Sequence, residues 1–268
     1  MIKAIISDID GTLVNTLYFI RHGQYEAMTQ YLLGNGLQRE QLPTYEQYET
    51  CLNQAVGGPT HDTFAVTLQL LAKDFPAIVP GLVDLIEVND RILPEVQNHL
   101  APLYIHPFPE LHDFLKVLEL LELKLAIYTS GYDYMVVRNF GVALPSLGYM
   151  DLYKSPDYSD ADKLQALVER LKATYAIPDM AVVTANDVTA HKPDPEGVLK
   201  ALDKLGVGPQ EAVVLGDHRY DMMAAKAAGV YAIGVSHGFS APNELVIAGA
   251  DAVCANLHEV IYHIQYVL

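Results

Sequence analysis

Four short motifs contain the residues best suited to chemistry: DIDGT at 8–12, YTS at 128–130, HKPDPE at 191–196 and GDHRYD at 216–221. They supply carboxylates, a lysine and a threonine. A phosphate monoester is negatively charged, so an anionic nucleophile needs a cation to neutralise the repulsion and the charge of the transition state. Carboxylates, one lysine and a metal meet that need. The residue types therefore indicate the transfer of a phosphoryl group.

Three of these motifs directly follow apolar runs that predict strands, at 1–6, 123–127 and 212–215. In an open parallel α/β sheet, ligands bind outside the carboxyl ends of the strands. We therefore expect the polar residues after these three strands to meet at one edge of a sheet.

The last third of the chain continues the alternation of strands and helices. A helix is predicted at 220–228, a strand at 231–235, a short strand at 252–254 and a closing helix at 257–267. The predicted fold class is α/β, with a Rossmann-like, doubly wound parallel sheet as the core.

The order of the four motifs resembles the haloacid dehalogenase superfamily of phosphohydrolases, and particularly the phosphoglycolate-phosphatase-like branch with a helical C1-type cap inserted after the first motif. The resemblance covers most of the chain, and four ordered motifs are far more specific than any one alone. It implies a catalytic core of residues 1–14 and 106–268 and a helical cap of residues 15–105.

The resemblance implies roles for the two aspartates of the first motif. Asp8 is expected to attack phosphorus and form an aspartyl phosphate, a covalent route open to carboxylates. Gly11 allows a sharp turn, so that Asp10 can reach back to the same site, protonate the leaving alcohol and then activate water. Dehalogenases lack an aspartate two residues after the nucleophile, so Asp10 favours phosphate esters as substrates.

The second and third motifs are expected to bind the phosphoryl group. Lys192 would place a fixed positive charge opposite the phosphoryl oxygens, in a loop followed by a helix that Asp194 caps and Pro195 begins. The Thr129 hydroxyl and the amide of Ser130 would bind a nonbridging oxygen as preorganised donors.

The resemblance also implies a Mg²⁺ ion, which suits hard oxygen ligands. The expected ligands are Asp8, the backbone carbonyl of Asp10, and Asp217. Asp221 lies four residues after Asp217, about one helical turn away, so it could reach the site or hold a metal-bound water. Gly216 stands where some relatives carry a second acidic ligand, which leaves Asp217 and Asp221 to share this work.

The cap is predicted from helix-period stretches at 18–33, 60–73 and 82–93, in a region without a strong strand signal. Two links, near 14–16 and 105–109, would join it to the core. A pair of links allows hinge closure, through which remote parts of a substrate can influence the chemistry.

Specificity is therefore expected to reside in the cap. The candidates are Arg21, Thr60 and His61, with Tyr18 and His22 near the first link.

Two further departures from the family pattern affect the rest of the chain. Asn15 occupies a place that is often aspartate, and the stretch 141–180 is longer than the usual link between the second and third strands. This stretch contains a predicted helix at 160–175, with apolar residues on one face. We interpret it as a local embellishment rather than an interface.

Composition limits the partners. The 268 residues carry a formal net charge of −16, which makes nucleic acid and anionic membranes poor partners. No run approaches the roughly 20 apolar residues of a membrane helix, and the expected location is the cytoplasm. Cys51 and Cys254 lie in different predicted domains, so free thiols are expected.

The expected function is Mg²⁺-dependent hydrolysis of a small phosphorylated metabolite. A sugar-phosphate mutase and a non-catalytic regulatory protein of the same fold are the alternatives, although the intact set of motif residues argues against loss of turnover. Phosphoglycolate, sugar phosphates, nucleotides and pyrophosphate all stay open as substrates, as does the oligomeric state.

Overall fold

A computed structural model describes residues 1–55, 60–79, 81, 83–148 and 153–268, apart from the side chains of 60–63 and 147. The chain divides into two compact units. The first comprises Met1–Leu17 and Ile105–Leu268, and the second comprises Tyr18–Tyr104. We refer to them as the sheet unit and the helical unit.

The sheet unit is built on six parallel strands in the order β5-β4-β1-β6-β7-β8. The predicted α/β class with a parallel sheet is thereby confirmed. A separate two-stranded antiparallel ribbon pairs β2 with β3. The strands are β1 (Ala4–Ser7), β2 (Val14–Asn15), β3 (His106–Pro107), β4 (Lys124–Tyr128), β5 (Met180–Val183), β6 (Ala212–Gly216), β7 (Tyr231–Val235) and β8 (Ala252–Cys254).

Helices account for most of the remaining described chain. None of those described is long and apolar enough to cross a membrane. The α-helices are α1 (Leu17–Gly34), α2 (Tyr45–Ala55), α3 (Thr60–Leu71), α4 (Leu93–Tyr104), α5 (Leu111–Leu120), α6 (Asp133–Ala143), α7 (Asp160–Tyr175), α8 (Glu196–Leu205), α9 (Arg219–Ala227), α10 (Pro242–Ile247) and α11 (Leu257–Tyr266).

The strand order creates a switch point beside β1. The chain moves from β1 to β4 and β5 on one side, and then returns to place β6 on the other side of β1. Ala4 is therefore in register with both Lys124 and Ala212. Because ligands bind at the carboxyl ends of strands next to such a reversal, this topology brings the residues after β1 and β6 to one place.

Strand residues alternate between the two faces of the sheet, so each face has its own helices. On one face, Ala4 and Ile6 of β1 belong to a buried cluster with Val198 and Leu205 of α8 and Met222 of α9. Burial of this apolar surface supplies the main favourable free energy of folding and anchors α8 and α9, whose amino ends carry site residues.

The helical unit has a core of its own, in which Met28, Tyr48, Phe64 and Leu68 are buried. Its first and third helices follow the predicted ranges closely. The helix predicted at 82–93 is present in most of this range but has different bounds: residues 85–86 are helical, a π-helical segment follows at Glu87–Ile92, and α4 continues to Tyr104. Buried positions recur through α4 as far as Ala101, so packing extends the helix beyond the predicted end.

The long stretch between β4 and β5 is folded onto its own unit. Helix α7 occupies the predicted range, and within the described residues it contacts α5, α6 and β5. The Tyr175 hydroxyl forms a 2.6 Å hydrogen bond with Nδ1 of His112 on α5. These contacts support its interpretation as an embellishment of the sheet unit.

The amino end of α7 provides a test of this packing. Ser159 is its N-cap, and its Oγ accepts a hydrogen bond from the Asp162 amide. We expect Ser159→Ala to lower the free energy of unfolding by about 1 kcal/mol. Thermal denaturation should show a loss of roughly 2 to 4 °C. Ser159→Asn retains a capping oxygen and should stay close to wild type; equal losses in the two variants would contradict this role of the cap.

Candidate active site

Asp8 lies directly after β1, in the middle of the sheet. Its backbone amide donates to the carbonyl of Leu215 on β6, which continues the strand pairing to this residue (2.9 Å). Its Oδ1 accepts a hydrogen bond from Lys192 Nζ at 2.6 Å, and its side chain is 11% exposed. Burial raises the pKa of the Asp8 carboxyl well above its usual value, although Lys192 opposes this. Asp8 is a nearly buried carboxylate with a fixed cation beside it.

The Lys192 ammonium group is enclosed by acceptors. Its Nζ lies 2.6 Å from Asp8 Oδ1, 2.7 Å from Asp221 Oδ1 and 2.8 Å from the carbonyl of Tyr128. The Tyr128 ring packs against it, with the centroid 4.5 Å from Nζ. Burial alone would lower the pKa of Lys192, but Asp221 and Asp8 raise it above its usual value. Lys192 therefore carries a permanent positive charge.

The loop before α8 positions Lys192. The Glu196 carboxylate accepts hydrogen bonds from Lys200, from the Ala190 amide and from the amide and hydroxyl of Thr189. These donors, of which Lys200 has the largest effect, lower the pKa of Glu196 to about 2. The helix that follows this loop, α8, was predicted to begin at Pro195, which is wrong by one residue.

Helix α8 begins at Glu196, because Pro195 occupies the N-cap position. Asp194 still satisfies a free amide at this end, since its Oδ1 accepts from the Glu196 amide at 2.9 Å. The amides of Asp194 and Glu196, at the entrance to the helix, are therefore both paired.

Asp217 follows β6 and is fully buried. Its Oδ1 accepts from the Thr12 hydroxyl at 2.7 Å, and its Oδ2 accepts from the Phe239 amide at 2.6 Å. Burial and then Asp221 raise the pKa of Asp217 to about 7. A Cβ atom at either Gly11 or Gly238 would collide with this carboxylate, so both glycines are needed for its position.

Asp221 lies in the first turn of α9 and is 3% exposed. While its Oδ1 contacts Lys192, its Oδ2 accepts from the amide of His218 at 3.0 Å. A Cβ atom at Gly216 would overlap the Asp221 side chain. The glycine in place of a second acidic ligand therefore provides the space that Asp221 occupies.

Three of these carboxylates form a cluster that fits a hard divalent cation. Ligand oxygens of Asp8, Asp217 and Asp221 all lie within 4.8 Å of one another. The single charge of Lys192 cannot balance three buried carboxylates, and oxygen ligands are those that Mg²⁺ prefers. The raised pKa values of Asp8 and Asp217 have the same physical origin, since buried negative charge is costly.

Asp10 has different surroundings from Asp8. Its Oδ1 accepts a hydrogen bond from Asn139 Nδ2 at 2.6 Å, and Asn139 Oδ1 accepts from Arg138 Nε at 3.0 Å. Burial raises the pKa of the Asp10 carboxyl, while the neighbouring Thr16 hydroxyl, and then Arg138 and Asn139, lower it. Among the described residues, the carboxylate cluster does not include Asp10, whose predicted contribution to a metal site is its backbone carbonyl.

Thr129 and Ser130 follow β4, next to β1 in the sheet. Thr129 is buried, and its Oγ1 accepts a hydrogen bond from the amide of Gly131 at 3.0 Å. Ser130 is exposed. The structure therefore holds both residues at the edge where Asp8 and Lys192 meet, and their role toward a phosphoryl group stays a prediction.

The candidate specificity residues lie in the helical unit. Arg21 forms a 3.1 Å ion pair with Glu49, and Tyr18 stacks on His22 with 4.8 Å between ring centroids. The side chains of Thr60 and His61 lie outside the described part of the structure. Their role in specificity stays a prediction.

Sequence analysis missed several residues that shape the site. Thr12 and Phe239 bind Asp217, while Arg138 and Asn139 lead to Asp10. The pair on α6 has a signal in the sequence, because two polar residues interrupt the apolar stretch between Val136 and Phe140. The amide of Phe239 has none, since any residue provides a backbone donor.

Comparisons with known proteins define the class. The chain matches the family described as haloacid dehalogenase-like hydrolase over residues 2–229. It therefore belongs to this family and is a hydrolase, as its motifs predicted.

Named relatives are distant. Pyrophosphatase PpaX of Bacillus velezensis is 26% identical over 240 residues, which cover 88% of this chain and 83% of that protein. Phosphoglycolate phosphatase of Escherichia coli is 29% identical over 80 residues, 30% of this chain and 32% of that protein. A predicted phosphoglycolate phosphatase from Haemophilus somnus shares the fold, with a TM-score of 0.71 and 17% identity over 98% of each chain.

The charge balance around Lys192 gives a testable prediction. In metal-free buffer, Lys192→Met leaves Asp8 and Asp221 buried without their cation, which we expect to cost about 3 to 5 kcal/mol at neutral pH. Because burial already raises the pKa of Asp8 and Lys192 opposes that shift, its loss raises this pKa further.

A carboxyl group whose pKa is higher in the folded state favours folding when protonated, so the deficit should shrink as the pH falls. Urea denaturation with EDTA at pH 8 and pH 5 measures this difference, and Lys192→Arg is the charge-preserving control. A deficit that is independent of pH would contradict the proposed charge balance.

Proposed function

We propose that this protein is a Mg²⁺-dependent phosphatase that hydrolyses a small soluble phosphate monoester through an aspartyl phosphate on Asp8. One observation carries the proposal: Asp8 is held by Lys192 at 2.6 Å, in a buried cluster with two further carboxylates, at the carboxyl end of the central strand. A carboxylate next to a fixed cation is suited to attack an anionic phosphoryl group.

In the first step, an oxygen of Asp8 forms a bond to phosphorus as the bond from phosphorus to the leaving oxygen breaks. Asp10 donates its proton to that oxygen, so that the product departs as an alcohol. Lys192 stabilises the negative charge on the phosphoryl oxygens. Burial, which raises the pKa of Asp10, favours the protonated form that this step requires.

In the second step, water attacks the phosphorus of the aspartyl phosphate. Asp10, now ionised, takes a proton from the water, and the bond between phosphorus and Asp8 breaks. Inorganic phosphate leaves, and both aspartates return to their initial states. The same carboxyl group therefore serves as acid and then as base.

Asp8, Asp217 and the backbone carbonyl of Asp10 would hold Mg²⁺, with Asp221 beside them. When bound, the ion supplies positive charge that neutralises the phosphoryl oxygens and the attacking carboxylate. The hydrogen bonds from Thr12 and Phe239 to the two oxygens of Asp217 fix the orientation of this carboxylate, as a preorganised metal ligand would require.

The charge of the chain supports a small substrate rather than a polymer. A net charge of −16 repels a polyanion, whereas a small phosphate ester needs only the local cations of the site. The names of two distant relatives give a reason to test pyrophosphate and phosphoglycolate first among the candidates already open.

The test of the nucleophile is phosphate release from a panel of phosphoglycolate, sugar phosphates, nucleotides and pyrophosphate. We expect release with Mg²⁺ and a loss of at least about 10³-fold in Asp8→Asn, because the amide is a poor nucleophile. Asp113→Asn, at an exposed carboxylate in the same unit, is the matched control and should retain full activity.

An active Asp8→Asn variant would remove Asp8 as the nucleophile. Phosphate that stays on a sugar product, instead of appearing as inorganic phosphate, would identify a mutase.

The metal has its own test. We expect Asp217→Asn to raise the Mg²⁺ concentration needed for half-maximal activity by about tenfold or more, since a ligand charge is lost while its shape is kept. A titration of activity with Mg²⁺ after EDTA treatment measures the change, again beside Asp113→Asn. Unchanged Mg²⁺ dependence in Asp217→Asn would exclude Asp217 as a ligand.

A further inference from the structure

We propose, on the basis of the function proposed above, that Arg138 and Asn139 are positioning residues that hold the Asp10 carboxyl group and leave its Oδ2 as the atom that gives and takes the proton. Neither residue belongs to the four motifs. Both lie on α6, in the part of the chain that leads into the long stretch before β5.

The contacts form a continuous chain of donors. Arg138 Nε donates to Asn139 Oδ1 at 3.0 Å, and Asn139 Nδ2 donates to Asp10 Oδ1 at 2.6 Å. Arg138 is 2% exposed and Asn139 is 1% exposed. These bonds are therefore shielded from water, where a hydrogen bond has its greatest influence on geometry.

The guanidinium group determines which way the amide points. An arginine has only donors, so the Asn139 atom that it contacts must be the carbonyl oxygen. The amide nitrogen is then the end that faces Asp10. Without Arg138, both orientations of the Asn139 amide would be open, and one of them would place two acceptors against each other.

The amide in turn distinguishes the two oxygens of Asp10. Because Oδ1 accepts the Asn139 hydrogen bond, the proton of the neutral carboxyl group is favoured on Oδ2. The Thr16 hydroxyl also lies beside this carboxyl group, and because a hydroxyl both donates and accepts, it is compatible with the neutral and the ionised form. In the first step the Oδ2–H bond breaks as the leaving oxygen gains that proton and the electron pair of its bond to phosphorus. In the second step, water transfers a proton to the same Oδ2 as the water oxygen bonds to phosphorus and the bond between phosphorus and Asp8 breaks.

The burial of the Arg138 charge is costly. The Tyr134 ring lies 5.9 Å from its Cζ, and burial lowers the pKa of its guanidinium group while Tyr153 and Asp10 raise it. A buried charged network is often no more stabilising than an apolar residue of similar volume. The hydrogen bond to Asn139 Oδ1 is a contact that an apolar residue at this position could not make.

The long stretch before β5 acquires a function from this arrangement. Tyr153 belongs to this stretch and raises the pKa of the Arg138 guanidinium group. Helix α7, in the same stretch, packs on α6. This embellishment therefore covers the helix that carries Arg138 and Asn139, and it keeps water from competing for their hydrogen bonds.

The experiment compares two substrates that differ in their need for a proton. The alcohol of a simple alkyl phosphate must be protonated as it leaves, whereas p-nitrophenolate is stable as an anion. We expect Asn139→Ala to lower kcat/KM for the alkyl phosphate by about 10- to 100-fold and for p-nitrophenyl phosphate by less than about threefold. The ratio of the two kcat/KM values reports on proton donation and is insensitive to a general loss of folded enzyme.

Three further variants complete the design. Asn139→Asp keeps the size and the acceptor for Arg138 but lacks the donor, so it should show the same selective loss. Arg138→Lys should show a smaller loss of the same selectivity. Asn256→Ala removes the N-cap of α11 instead, and it should reduce stability without changing the substrate ratio. Thermal denaturation accompanies each assay, and Asn139→Asp or Arg138→Lys decides the matter if Asn139→Ala does not fold.

The outcomes separate this inference from the proposed function. Wild-type turnover that depends on Asp8, with equal losses on both substrates in the Asn139 variants, would overturn the positioning role alone. Absence of turnover in the wild type, or turnover that survives Asp8→Asn, would overturn the proposed function and the positioning role together.

Discussion

The site depends on one buried ammonium ion. Lys192 Nζ lies within 2.8 Å of Asp8, Asp221 and the carbonyl of Tyr128, so each of its three protons has an acceptor. Two carboxylates at such a short separation would repel each other in a medium of low dielectric constant. The lysine offsets that repulsion, and the remaining excess of negative charge is the reason that the cluster suits a divalent cation.

Such a dense group of carboxylates needs space as well as charge. Gly216 makes room for Asp221, and Gly11 and Gly238 make room for Asp217. These glycines come from three separate segments, each at the carboxyl end of a strand or in the loop beyond it. The close approach of the backbone to the carboxylates is therefore a property of the whole sheet edge. It explains why small residues there are as important as the acidic ones.

The acid and the nucleophile of the proposed mechanism are separated by their surroundings. Asp8 contacts a lysine, which favours its ionised form, whereas Asp10 contacts a neutral amide that is itself held by a buried guanidinium group. The two carboxyl groups are only two residues apart in the chain. Their different partners allow one fold to provide an anion for attack and a proton for the leaving group.

Much of the sheet unit was predictable because its signals are local. Apolar runs and helix periodicity placed β7, β8 and α7 at their observed bounds, and the motifs identified the residues that come together around Asp8. The end of α4 was not predictable. Tertiary burial carried that helix through Ala101, beyond the point where its local pattern ends.

The sequence by itself determined the class of fold, the family and the acidic and basic residues of the site. The tertiary structure alone decided which atoms of these residues meet. It placed Asp221 directly on Lys192, although its spacing indicated only one turn of helix, and it placed Asn139 on Asp10 across 129 residues of chain. Spacing along one helix or strand is set by local geometry, whereas contacts between elements depend on how helices rotate and pack against the sheet.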